Sequence, residues 1–198
     1  MPQPEPEDGV LSVFRSTGAY LSGHFRLTSG LHSPEYLQCA RVLQYPDHAA
    51  TMGGKLAAAL QAAAGPQKIQ VVASPAIGGL IIGHEVARAL GARFIFAERE
   101  TGKMTLRRGF EVAPGEKAVV VEDVITTGGS TREVIDTLHE RGADVLAAGS
   151  IIDRSGGKAD LGIPRVALEI LSVVSYSPED CPLCAQGIPV VKPGSRAT

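Results

Sequence analysis

The run Ala118-Val119-Val120-Val121-Glu122-Asp123-Val124-Ile125-Thr126-Thr127-Gly128-Gly129-Ser130 begins as a strand and ends as the mouth of a helix. Four apolar residues in succession suit a parallel strand covered on both faces. Two adjacent carboxylates stand at its carboxyl tip. A Thr/Gly/Ser turn follows, and Ser130 opens a helix. Glu133, three positions on, completes a capping box, and Gly142 closes the helix.

The same alternation extends in both directions. Apolar, β-rich runs recur at 69–73, 93–97, 118–122, 145–152 and 166–170. Helical stretches lie between them. One is capped by Asp47 and runs to about residue 64, with Gly65 beyond. Another covers 79–90 and stops at Gly91. Strand, helix, strand at this spacing predicts an α/β fold with a mostly parallel central sheet flanked by helices. The length of 198 residues favours a single domain over 1–198. Its core is expected at about 47–174. Residues 10–46, with a short helix near 10–17, and residues 175–198 are read as a small hood of peripheral segments. The stretch 98–110 shows no period and carries Arg99, Lys103, Arg107 and Arg108, so it is read as a mobile basic loop.

Composition excludes several classes. The net charge of -2 argues against a nucleic-acid partner, because phosphate neutralisation needs a basic surface. Aromatics are 5% with no Trp, which disfavours base-stacking platforms. No segment approaches the roughly 18–20 apolar residues of a membrane span. The opening MPQPEPEDG is acidic and Pro-rich, unlike a secretory signal, and reads as a disordered lead-in. Three cysteines without such a signal point to a reducing, cytoplasmic setting.

The opening run also carries chemistry. Successive backbone N–H groups and hydroxyls at the positive end of a helix form an anion nest suited to a phosphate monoester. Gly128 and Gly129 remove side chains that would hold a phosphate away. Two carboxylates just upstream suit a ribose diol, or a Mg²⁺ bound through oxygen. Together these describe a ribose 5-phosphate. No Lys follows the glycines, so this is not the P-loop, and the dinucleotide spacing is absent too.

The order of apolar strand, acid pair and Thr-Thr-Gly-Gly-Ser turn matches the phosphoribosyl pyrophosphate signature of type I phosphoribosyltransferases. Around it the chain resembles the orotate phosphoribosyltransferases. Phe25-Arg26-Leu27-Thr28-Ser29-Gly30-Leu31-His32-Ser33-Pro34-Glu35-Tyr36 is similar to that family's base-covering segment. Ile151-Ile152-Asp153-Arg154-Ser155-Gly156-Gly157 is similar to its late strand ending in arginine. The resemblance implies the type I phosphoribosyltransferase fold and a Mg²⁺-dependent transfer from phosphoribosyl pyrophosphate to orotate, giving orotidine 5′-phosphate for pyrimidine (UMP) biosynthesis. It implies that Glu122 and Asp123 hold the ribose hydroxyls, directly or through Mg²⁺. The turn at Thr126, Thr127, Gly128, Gly129, Ser130 and Thr131 would hold the 5′-phosphate. Ser29, Gly30, Tyr36, Thr126 and Arg154 would meet orotate. Lys103, as a catalytic residue, and Arg99 would meet the pyrophosphate. It further implies a homodimer whose 98–110 loop reaches the neighbouring site.

Departures point to a divergent bacterial branch. Thr28 and Gly78 stand where the family often has Lys, and the loop lacks its usual His. The segment 74–79 could bind pyrophosphate through backbone N–H groups instead. Two alternatives stay open: a transferase for a purine or another base, and a nucleotide-sensing regulator on the same fold. Cys181-Pro182-Leu183-Cys184 is explained by neither. One C-x-x-C supplies two zinc ligands of four, with Cys39 or a second subunit as sources of others. A redox pair is a further alternative, and the default is packed, reduced thiols. None of the five His residues is assigned, and His32 reads as a structural histidine.

Overall fold

The computed structural model describes residues 9–27 and 29–193. Thr28, the end of the tail and all but the last residue of the expected lead-in lie outside the described residues. The chain forms two compact units, one of Met1–Val42 with Ser172–Thr198 and one of Leu43–Leu171.

In the first unit, α1 (Val10–Ser16) precedes an antiparallel hairpin of β1 (Tyr20–Arg26) and β2 (His32–Leu37). The sequence reading had only a mixed peripheral segment here. Its alternation is broken by a bulge between Ser22 and Phe25, which leaves His24 and Phe25 buried in succession. The chain's end rejoins this hairpin. Val191 bridges Phe25 in parallel, and Tyr176 bridges His32 in antiparallel fashion. A short helix, written α6 below, spans Pro182–Ala185. Where the chain passes from one unit to the next, Cys39–Leu43 forms α2.

The second unit holds α3 (Pro46–Ala64), β3 (Val71–Pro75), α4 (Gly79–Leu90), β4 (Arg93–Glu100), β5 (Lys103–Leu106), β6 (Lys117–Ile125), α5 (Gly129–Glu140), β7 (Asp144–Asp153) and β8 (Arg165–Ile170). The strand order is β5-β4-β3-β6-β7-β8. All neighbouring pairs are parallel except the edge pair β4–β5. This is the mostly parallel α/β sheet that the sequence predicts.

The two faces follow from the period-2 alternation of each strand. Val71, Ala73, Ala118, Val120 and Ala148 pack with Val134, Ile135 and Leu138 of α5. The opposite face receives α3 and α4: a Cβ on Gly149 would lie 3.0 Å from Leu56, and one on Gly83 would lie 2.5 Å from Phe94. Leu56, Leu60, Ile82 and Leu138 are each fully buried. Each such side chain contributes about 1.5–3 kcal/mol. Among the described residues no helix is long and apolar enough to cross a membrane.

Three local expectations are corrected. Tyr45, not Asp47, caps α3, because Pro46 takes the first helical position and Asp47 falls in the first turn. Gly128, in the left-handed region at φ 80°, caps α5 without a side-chain bond, so the Ser130/Glu133 capping box does not form. Finally, 98–110 is not an irregular loop. β4 continues to Glu100, turns at Thr101 (φ 47°) and Gly102 (φ 89°), and returns as β5. Positive φ at both turn positions matches the twist of a tight hairpin. The Thr at the first turn position and the dense charges conceal this pattern in the sequence.

Candidate active site

β6 carries its apolar residues Ala118 to Val121 wholly inside the sheet and presents Glu122 and Asp123 at its carboxyl end. Adjacent strand residues leave on opposite faces, and this pair does so. Glu122 lies on the α5 side, where Thr131 Oγ1 donates to its Oε2 at 3.1 Å. Asp123 lies on the α4 side, where a Cβ on Gly78 would come within 2.6 Å of its Oδ1. The same oxygen accepts the Val124 N–H at 2.8 Å. The departure at Gly78 thus has a local reason: a side chain there would displace the Asp123 carboxylate.

Burial raises both acids. The Glu122 carboxyl is pushed up to about 8, first by desolvation and then by the charge of Asp123, with the Thr131 hydroxyl opposing. Asp123 is raised by desolvation, against the stabilising Val124 N–H. Two acids that resist ionisation at the end of a strand favour a cation, or hydroxyl donors, beside them.

Beyond the acids, the turn into α5 encloses a pocket of about 120 Å³, walled by Glu122 and by the residues from 124 to 131. The first bond into the helix runs from Arg132 N–H to Gly128 O at 2.8 Å. The N–H groups of residues 129–131 precede it and have no acceptor within the helix. The positive helix end and these amides suit an anion. Gly128 is required for its backbone angle, and also because a Cβ there would lie 2.7 Å from Leu161. Gly129 is different, since a Cβ there meets only Thr127 Oγ1 at 3.7 Å. Thr131 lines the pocket as well, and its buried hydroxyl donates to Glu122.

Arg154 follows β7, and its N–H donates to Ile125 O at 2.8 Å, placing it beside the end of β6. The preceding Asp153 is fully buried, accepts from Ser155 N–H and Oγ at 2.7 and 2.6 Å, and pairs with Arg165. Sequence reading missed this buried anchor, since Arg165 joins it from the next strand. In segment 74–79, with its cis Ala76–Ile77 peptide, the Ala76 N–H is already used, donating to Ala97 O at 2.9 Å, and just beyond the segment Leu80 N–H donates to Ile77 O.

The β4–β5 hairpin carries the cations. Arg99 pairs with Glu133 of α5 at 2.6 Å, Arg107 with Glu100 at 3.5 Å and Arg108 with Glu98 at 2.7 Å. Lys103 stands opposite Glu100 and is exposed; among the described residues it is the hairpin cation with no ion pair. Ser29, Gly30 and Tyr36 belong to the other unit. Ser29 and Gly30 form the tip between β1 and β2, with Gly30 at φ 86°, and the Tyr36 ring lies 5.9 Å from that of Phe25.

Comparison with known proteins agrees with this geometry. Residues 44–174 match the model of the phosphoribosyl transferase domain. Over 189 residues the chain is 58% identical to an orotate phosphoribosyltransferase of Pelotomaculum thermopropionicum, covering 96% of this chain and 97% of the relative. It is 54% identical to one of Thermotoga petrophila, covering 94% and 98%. Among solved structures, the orotate phosphoribosyltransferase of Aeropyrum pernix is 27% identical with a TM-score of 0.65, over 82% of this chain and 93% of that one. An adenine phosphoribosyltransferase of Thermoanaerobacter pseudethanolicus, 20% identical with a TM-score of 0.57 over 69% and 88%, shares the fold. The turn at residues 126–131 sits inside the matched domain, and the likeness extends over nearly the whole chain. The chain belongs to the phosphoribosyltransferase family, within its orotate phosphoribosyltransferases.

Proposed function

We propose that this chain transfers the phosphoribosyl group of phosphoribosyl pyrophosphate to orotate, forming orotidine 5′-phosphate and pyrophosphate in pyrimidine (UMP) biosynthesis. One observation supports this most: Glu122 and the first-turn amides of α5 face a single pocket of about 120 Å³. That supports reading the turn as a phosphate cradle next to a carboxylate suited to a ribose hydroxyl. In the reaction the C1–oxygen bond to pyrophosphate breaks as the C1–nitrogen bond to the base forms. Charge neutralisation and positioning supply the catalysis, with no covalent intermediate.

In this reading the backbone of residues 126–130 and the hydroxyls of Thr126, Thr127 and Ser130 hold the 5′-phosphate, with Gly128 shaping the turn and Gly129 leaving it open. Glu122 and Asp123 hold the ribose hydroxyls, and Thr131 orients Glu122. Arg154 offers its fork to the carboxylate or carbonyl edge of orotate, and Thr126 borders the same base. Ser29, Gly30 and Tyr36 keep the orotate role that the family's base-covering segment gives them. Lys103 meets the pyrophosphate, and Arg99 joins it by exchanging Glu133 for the anion.

The donor set fits Mg²⁺: Glu122 and Asp123 are half-buried carboxylates with raised proton affinity, hard oxygen ligands that a divalent cation would stabilise. When bound, Mg²⁺ offsets the charge of the pyrophosphate. The active species in this reading is a cytoplasmic homodimer, with each β4–β5 hairpin serving the neighbouring site.

Turnover of orotate with phosphoribosyl pyrophosphate and Mg²⁺ tests the substrate. Consumption of hypoxanthine or uracil in place of orotate would overturn it. Asp123→Asn should lower kcat by about a hundredfold or more, by analogy with losing one preorganised electrostatic contact, while the thermal midpoint does not fall. Unchanged kinetics would remove Asp123 from the mechanism. Lys103→Ala should reduce turnover more than it weakens orotate binding; equal losses would assign the hairpin to ground-state binding.

A further inference from the structure

Four side chains that the transferase reading does not use meet inside the unit built from the two chain ends. His24 lies at the β1 bulge and His32 opens β2. Cys181 precedes α6 and Cys184 lies within it. The hairpin and the C-x-x-C are far apart in sequence, yet one ligand atom from each of the four lies within 4.8 Å of the others. His24, His32 and Cys181 are buried, and neither cysteine is in a disulfide.

The contacts converge on one atom. His24 Nδ1 lies 2.7 Å from the Ile188 carbonyl. A carbonyl only accepts, so Nδ1 carries the proton and Nε2 presents a lone pair. Around that lone pair stand His32 Nδ1 at 2.9 Å, Cys181 Sγ at 3.5 Å and Cys184 Sγ at 3.7 Å. Cys184 Sγ is also 3.3 Å from His32 Nδ1. One imidazole lone pair accepts one good hydrogen bond, so three neighbours around it are poorly served by hydrogen bonding alone.

A cation at their centre serves all four. Zinc–nitrogen bonds of about 2.0–2.1 Å and zinc–sulfur bonds of about 2.3 Å set tetrahedral edges of roughly 3.3–3.8 Å. Four of the six pairwise distances, those given above, lie within about 0.5 Å of that range, and all six are within 4.8 Å, so a small inward movement of the side chains completes the tetrahedron. The donor set of two thiolates and two imidazoles is the one tetrahedral Zn²⁺ selects. The His24 Nδ1–H bond to a backbone carbonyl is the outer contact that orients a ligating histidine. Backbone bonds brace the same place: Val191 N–H donates to His24 O at 2.8 Å, and His32 exchanges two 2.9 Å bonds with Tyr176.

We propose that His24, His32, Cys181 and Cys184 form a structural, four-coordinate Zn²⁺ site that fastens the carboxyl-terminal segment to the β1–β2 hairpin. Four protein ligands leave no open position, so the site is structural and not catalytic. It also answers the question the C-x-x-C raises. The missing two ligands are histidines of the same chain. Cys39, buried at the start of α2, is not among the clustered residues. A unit with few buried apolar side chains gains most from such a link.

The full-length chain, purified without chelator, should carry one equivalent of zinc by elemental mass spectrometry. After stripping, Co²⁺ titration of the wild-type chain should give intense visible bands of tetrahedral cobalt and a thiolate charge-transfer band, saturating at one equivalent. Cys181→Ser with Cys184→Ser should abolish both signals, and Cys39→Ser should keep both. The proposal fails if the metal-replete chain holds only a small fraction of an equivalent. It also fails if the cobalt spectrum is octahedral, if the double variant retains the metal, or if native mass analysis finds Cys181 and Cys184 disulfide-bonded. The wild-type titration decides the matter even where a variant does not fold, and none of these readouts depends on transferase turnover.

Discussion

The unit Leu43–Leu171 and the unit formed by the chain ends bury apolar and polar side chains in different proportions, although the larger also buries Ser74, Thr131, Thr137, Ser150 and Asp153. The first encloses continuous apolar strands, with Val71, Val72, Val119, Val120 and Val121 all wholly inaccessible between two helical layers. The second encloses Phe14, Phe25, Leu37 and Val42, and beside them His24, His32 and Cys181. A core of the first kind stabilises itself by area removed from water. A small core carrying buried polar groups needs directional partners to offset their desolvation. The larger unit can therefore spend its loop and strand ends on chemistry, whereas the smaller one must first be fastened together.

The largest test of that contrast is metal removal. Chelation of the wild-type chain should erase hydrogen-exchange protection in β1, β2 and residues 172–193, and leave β3 and β6 protected. Equal protection before and after would mean that the terminal unit holds on its apolar contacts, and the contrast would collapse. Within the larger unit, packing should dominate instead. Gly53→Ala puts a Cβ 2.5 Å from Glu85 Cβ and 2.9 Å from its backbone carbon, where α3 and α4 touch. The overpacking should cost about 1–3 kcal/mol, more than the helix-propensity gain of about 1 kcal/mol. Urea unfolding reads the balance, and a stabilised variant would show that the α3–α4 contact yields easily.

The two acids at the end of β6 offer a third test, where the proposed function is set against stability. Glu122 and Asp123 have raised proton affinity when folded. The folded chain therefore binds more protons than the unfolded one between the ordinary carboxylate range and about pH 8. Stability should fall as pH rises through that window, by at most about 1.4 kcal/mol per pH unit for each acid. Glu122→Gln should flatten the slope of a denaturation series from pH 5 to 8. A slope identical to wild type would mean that Glu122 ionises as freely as in the unfolded chain. The smallest effect lies next to Gly53. A Cβ on Gly54 meets nothing within 4 Å, so Gly54→Ala should raise stability by about 0.5–1 kcal/mol. Opposite signs at neighbouring glycines would confirm that contact, and not propensity, governs α3.

Legibility in the sequence followed the same division. The apolar runs gave the five parallel strands to within a few residues, and the glycine closing α4 was read correctly because Gly91 takes the left-handed conformation there. The turn after β6 was visible because its Thr, Gly and Ser residues are contiguous. The β4–β5 hairpin was not, since its turn begins with Thr101 at positive φ and its strands are dense in charge. The pairing of Arg99 with Glu133 joins residues 34 apart, beyond the reach of local pattern.

By itself, the sequence determined what is local: an α/β sheet from runs of apolar residues, and a glycine-containing turn of contiguous Thr, Gly and Ser at a helix mouth. Tertiary structure alone decided that Glu122 and Asp123 part to opposite faces, that Thr131 serves Glu122, and that three of the four hairpin cations are paired. It alone brought two histidines of a bulged hairpin to a C-x-x-C at the other end of the chain. The reason is physical. Periodicity and turn chemistry act between neighbours in sequence, while proton affinity, ion pairing and metal ligation depend on distances that only the folded chain sets.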